Sequence, residues 1–96
     1  MMAVVCYDVC TKDAAGSARL RKVARLCVSY GQRVQNSVFE VDVSYGDFLK
    51  LKHGLLNIID KDLDSIRFYV LGNQWKPKIE HYGAKQGYDP EGFLLV

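Results

Sequence analysis

The order of hydrophobic periodicities along the chain constrains the fold more than any single residue does. "AVVCYDV" is rich in Val and Tyr and reads as a mostly buried strand. "TKDAAG" breaks that pattern. From Ser17 to Tyr30 the apolar residues Leu20, Val23, Ala24, Cys27 and Tyr30 fall at the spacing of an amphipathic helix, which Gly31 is placed to end. "RVQNSVFEVDV" is β-branched with Asn36 and Ser37 near its middle, and two short strands around a tight reversal are expected. Ser44 followed by Asp47 marks the start of a second helix, with Phe48, Leu51, Leu55 and Ile58 or Ile59 as its buried stripe. After the charged loop "DKDLD", Ile66, Phe68 and Val70 alternate with Arg67 and Tyr69, the pattern of a strand with two unlike faces.

The order βαββαβ is the ferredoxin-like plan of an α+β fold. Two helices cover one face of an antiparallel sheet, and the other face is left needing cover. A chain of 96 residues is expected to form one such domain over residues 1–96, with its core over about residues 3–72. The tail, residues 73–96, carries Trp75, Ile79, Tyr82 and "FLLV" and is too apolar for an idle terminus. It is expected to pack on a second copy of the chain, adding a strand across a homodimer.

Composition excludes several classes. With 49% hydrophobic and 25% charged residues the chain is neither disordered nor membrane-spanning, and no apolar stretch approaches the ~20 residues that a bilayer requires. A cytoplasmic location and no membrane partner are expected. Cys6, Cys10 and Cys27 suggest neither a disulfide framework nor a zinc site. His53 and His81 lack partners at ligand spacing, and Gly16 is not part of a phosphate-binding loop. Tyr7, Tyr30, Tyr45 and Tyr69 read as packing residues with wet hydroxyls.

Charge is more informative than its total of +2. Residues 1–35 carry six Lys and Arg (Lys12, Arg19, Arg21, Lys22, Arg25, Arg33) against Asp8 and Asp13, whereas the rest carry seven against nine acids. Clustered basic charge suits phosphate contact, and it equally suits a solvated helix face. Asp8 closes the first strand at a rim position, where an acid serves either as a cap for the following turn or as a ligand for a hard cation. If two protomers pair through their sheets, two copies of Asp8 face each other, a costly arrangement unless a cation lies between them.

"YD" closing the first strand, the basic helix, "YGQRVQNSVFE" and "LDSIRFYVLG" together resemble the small CRISPR-associated adaptation nucleases, the second of the two core protein families of spacer acquisition. The likeness covers about residues 3–82. It implies a homodimer that cuts RNA or double-stranded DNA with magnesium, or another divalent cation such as manganese, and that partners the larger CRISPR integrase. By the same likeness, Asp8 matches the metal-binding acid and Tyr7 the aromatic beside it. Arg33 and Phe39 match the basic and aromatic positions near the cleft, and Gln35 and Ser37 fall in the same motif.

Cutting a phosphodiester requires an activated water and stabilisation of charge on the phosphoryl oxygens, both of which a metal supplies. Asp8 from each protomer would anchor the ion, and Arg33 would hold a non-bridging phosphate oxygen. Phe39 is open between a core aromatic and one that stacks on nucleic acid. Arg19, Arg21, Lys22 and Arg25 are the candidate phosphate contacts of the helix. Two functions follow: a magnesium-dependent endonuclease, or a non-catalytic adaptor holding DNA and the integrase in register.

Overall fold

A computed structural model describes residues 1–83. Strand β1 spans Met2–Asp8, helix α1 Ala14–Tyr30, β2 Gln32–Gln35, β3 Val38–Asp42, helix α2 Tyr45–Ile58 and β4 Ser65–Gly72. The four strands form one antiparallel sheet in the order β2-β3-β1-β4, with β1 and β3 at its centre. This is the ferredoxin-like arrangement, and it places the split between β1 and β2 where β3 inserts.

Side-chain alternation decides which face is covered. Ala3, Val5 and Tyr7 of β1 and Phe39 and Val41 of β3 point to the side packed by Val23 and Cys27 of α1 and Phe48, Leu51 and Leu55 of α2. Val5 pairs with Phe39 on one side and Phe68 on the other, so three strands contribute to one layer of the core. The opposite face carries Val4, Cys6, Val38 and Glu40, all half-buried, with exposed Asp8, Asp42, Arg67 and Tyr69. Neither helix covers that face.

Local chemistry sets the boundaries. Helix α1 begins three residues earlier than periodicity suggests, because Asp13 accepts a hydrogen bond from the Gly16 amide at 2.8 Å and recruits "AAG" into the first turn. Periodicity could not show this, since Ala14 and Ala15 are exposed. Gly31 ends α1 as expected but for space rather than for a left-handed backbone. Its φ is −161°, and a Cβ there would collide with the Glu40 carbonyl and Val41. Ser44 caps α2 by accepting from the Asp47 amide at 3.2 Å. The reversal at Asn36 and Ser37 separates β2 from β3, with a bulge between Arg33 and Gln35.

One expectation needs revision. Ile66 and Phe68 pack against the core, but Val70 is 55% exposed near the end of edge strand β4. In the tail, the described part holds a short 3-10 helix at Lys76–Lys78 and no strand. Lys78 Nζ ties that turn back to the Leu71 carbonyl at 2.9 Å. The "FLLV" segment lies outside the described residues. Among the described residues no helix is long and apolar enough to cross a membrane.

Candidate nucleic-acid and metal site

The C-terminal end of β1 gathers several features on one rim of the sheet. Asp8 is exposed there and pairs with Ser65 in the last register position of the β1–β4 ladder. One residue earlier, the Tyr7 amide donates to the Ser37 carbonyl at 3.1 Å, which brings the β2–β3 turn, with Gln35 and Ser37, beside Asp8. The N-terminus of α1 starts from the same rim.

The Asp8 carboxylate takes no hydrogen bond or ion pair among the described residues. The cap reading therefore belongs to other acids. Asp13 caps α1, and the Cys10 amide is taken by Asp64 at 3.0 Å. Asp8 is thus not the cap of the following turn. Its oxygen donors suit a hard ion, but no three His, Cys, Asp or Glu side chains converge to form a metal cage among the described residues.

Tyr7 and Phe39 belong to the opposite face from Asp8. Their rings stack with centroids 6.1 Å apart, and the Arg33 guanidinium lies over the Phe39 ring at 5.1 Å. Phe39 is fully buried, so it is a core aromatic that supports Arg33 rather than a platform for a base. Arg33 is exposed and pairs with Phe39, which places it on the helix side of the sheet. The structure thus joins Tyr7, Phe39 and Arg33 but does not bring Arg33 and Asp8 onto one face of a single chain. Among the described residues the Tyr7 hydroxyl is buried with no hydrogen-bond partner of good geometry, contrary to the expected wet hydroxyl, although the Arg33 guanidinium lies near it. Burial pushes its phenol up, and the approach and charge of Arg33 oppose that shift.

Among the cations of α1, Arg21, Lys22 and Arg25 are exposed. Arg19 is different. Its Nε donates to Asp64 Oδ2 at 2.8 Å and its Nη2 to Oδ1 at 3.2 Å, a two-pronged contact in which the Asp64 side chain has no exposure. The guanidinium holds the Asp64 carboxyl well below its ordinary value, at about 2. Sequence reasoning passed over Asp64 because it lies in a run of acids, "DKDLD", that reads as a solvated loop. The available signal was its place just before β4, where Asp60 and Asp62 are not followed by a strand.

His53 and His81 are exposed, and His81 Nε2 hydrogen-bonds the Gly83 carbonyl at 2.9 Å. Cys27 is buried, and desolvation pushes its thiol up to about 12, which makes it an inert packing residue.

A four-stranded antiparallel sheet with two helices on one face, an exposed acid at the end of its first strand and an exposed basic helix beside it define the class: small ferredoxin-like α+β proteins. Residues 1–79 match the family described as CRISPR associated protein Cas2, and the chain belongs to that family. It is 51% identical over 96 residues to the "CRISPR-associated endoribonuclease Cas2" of Nitratidesulfovibrio vulgaris, a match spanning 100% of this chain and 94% of that protein. The "CRISPR-associated endonuclease Cas2" of Halalkalibacterium halodurans is 50% identical over 95 residues, with 99% of each chain covered. Among solved structures, Streptococcus pyogenes Cas2 superposes with a TM-score of 0.75 at 57% identity, over 86% of this chain and 100% of that one.

Proposed function

We propose that the chain is a magnesium-dependent endonuclease of CRISPR adaptation that acts as a homodimer on phosphodiester bonds. Duplex DNA and single-stranded RNA are its candidate substrates, and the acquisition of new spacers is its setting. The observation that carries this reading is the Asp8 carboxylate, exposed at a strand end while Asp13 and Asp64 satisfy the neighbouring backbone. Family membership and relatives named as endoribonuclease and endonuclease support it.

Asp8 is one hard oxygen ligand per chain. Magnesium is usually held by one or two carboxylates together with waters and phosphate oxygens, so a site shared by Asp8 of two protomers fits this donor set. The uncovered sheet face on which Asp8 lies is the surface through which two protomers would pair. Bound magnesium would supply an activated water and Lewis-acid stabilisation of the phosphoryl oxygens.

The remaining roles fall to the chain's own side chains. Asp8 holds the ion. Arg21, Lys22 and Arg25 neutralise phosphates along the nucleic acid, and Arg33, braced by Phe39 and Tyr7 on the helix side of the sheet, is a further phosphate contact away from the ion. Gln35 and Ser37 shape the turn beside Asp8. The larger CRISPR integrase is the protein partner, with residues 73–96 contributing to assembly.

One observation favours a second reading. A single chain brings no three-ligand cluster together among the described residues, which suits a non-catalytic adaptor. Incubating the purified protein with duplex DNA and with single-stranded RNA, in magnesium and in EDTA, separates the two. Cleavage that requires magnesium supports the nuclease, whereas binding without cleavage supports the adaptor.

A further inference from the structure

Cys10 is the point at which the exit of β1 is held. Its amide donates to Asp64 Oδ1 at 3.0 Å, and its carbonyl accepts from Arg19 Nη2 at 3.4 Å. Both peptide groups of one loop residue are therefore engaged by the two halves of one ion pair. The pair is itself fixed. Arg19 reaches both Asp64 oxygens, and the Asp60 amide adds a bond to Oδ2 at 2.9 Å, so the buried carboxylate accepts four hydrogen bonds from three segments. A third restraint comes from α1, where a Cβ at Gly16 would collide with the Cys10 carbonyl.

These restraints act two residues beyond Asp8. On the other side, Asp8 pairs with Ser65, the residue that follows Asp64. Asp64 thus reaches the Asp8 segment twice, through its side chain at Cys10 and through its chain neighbour at Ser65. Val9, between the two, is buried. Among the described residues the Asp8 carboxylate has no hydrogen bond or ion pair of its own, so its position depends on the backbone that carries it.

Stability alone does not account for such a pair, because well-packed apolar residues often replace a buried ion pair without loss. What apolar residues cannot supply is directional hold on a peptide amide and carbonyl. The geometry points to Asp64 and Arg19 as positioning residues for Asp8, holding the exit of β1 so that the carboxylate is presented at a fixed place on the rim. This rests on the proposed metal role of Asp8. Neither residue touches the ion or the phosphate; both act through Cys10.

Two variants test the inference. Asp64→Asn keeps the side-chain volume and one acceptor but gives up the charge facing Arg19, and Arg19→Lys keeps the charge but gives up the fork. Backbone order parameters from 15N relaxation are read at Asp8 and Val9, with Leu51 and Leu55 as controls, and Mn2+ serves as the cation probe through line broadening at Asp8. In both variants the order parameters of Asp8 and Val9 are expected to fall from the rigid value of about 0.85 toward about 0.6, with the controls unchanged. The Mn2+ concentration that half-broadens the Asp8 signal is expected to rise about tenfold, as loss of support behind a ligand typically causes.

Unchanged order at Asp8 and Val9 in the folded variants would overturn the positioning role. If Asp64→Asn does not fold, Arg19→Lys alone decides. Wild-type protein reads the metal role separately, since an Asp8 signal indifferent to Mn2+ removes that reading while the order parameters still report on the hold.

Discussion

Asp64 grips Arg19 through both carboxylate oxygens, and this contact ties the loop before β4 to the first turns of α1. A carboxyl held at about 2 in the folded chain binds its proton less readily than the same group unfolded, near 3.9. The sign follows directly: the depressed value stabilises the fold above the unfolded pKa, and the contribution is lost as pH falls from about 4 through about 2. Urea unfolding from pH 6 down to pH 2 should show this loss in wild type. Asp64→Asn should be less stable at pH 6, because Arg19 loses its charge partner, and its stability should fall less steeply below pH 4.

Tyr7 and Phe39 test the core beneath Arg33. Phe39 is fully buried, so Phe39→Ala should cost about 3–5 kcal/mol in chemical denaturation. Tyr7→Phe removes a hydroxyl that has no partner of good geometry among the described residues, and stability should stay level or rise by about 1 kcal/mol. A loss of that size would show that the hydroxyl is bonded in solution.

The basic helix predicts a salt dependence. Replacing Arg21 and Arg25 with Gln should weaken binding of many duplex sequences alike and flatten the slope of log affinity against log salt by about 0.9 for each phosphate contact removed. Arg19→Gln should behave differently, lowering stability before it alters the slope. An unchanged slope in the double variant would return Arg21 and Arg25 to a solvated face.

A sheet face that neither helix covers predicts assembly. Static light scattering at tens of micromolar should give twice the chain mass of 10.9 kDa. A truncation after Asn73 should shift the species toward monomer if the tail supports the dimer, and an unchanged mass would assign the interface to the sheet face alone.

Most of the fold was legible because periodicity reports burial, and burial follows from sheet and helix geometry. Leu51, Leu55 and Phe48 announce α2, and Ser44 announces its start. The first turn of α1 was illegible for the same reason, since exposed alanines carry no period and the cap at Asp13 acts through one hydrogen bond. At the candidate site, Asp8 stood out as an acid ending an apolar run. Which face each side chain occupies was not legible, because Arg33 and Asp8 are separated by a pairing register that only the sheet defines. Arg19 read as one more helix cation. Its distinction depends on Asp64, 45 residues away in sequence.

If Asp8 carries the metal-dependent chemistry, cleavage by Asp8→Asn reads it without disturbing the fold. Asn keeps the size and one oxygen but removes the charge, so the dimer and its affinity for duplex DNA should persist. Under saturating magnesium, single-turnover cleavage by the purified variant should fall by at least about 100-fold relative to wild type. Equal cleavage rates for Asp8→Asn and wild type would contradict the account.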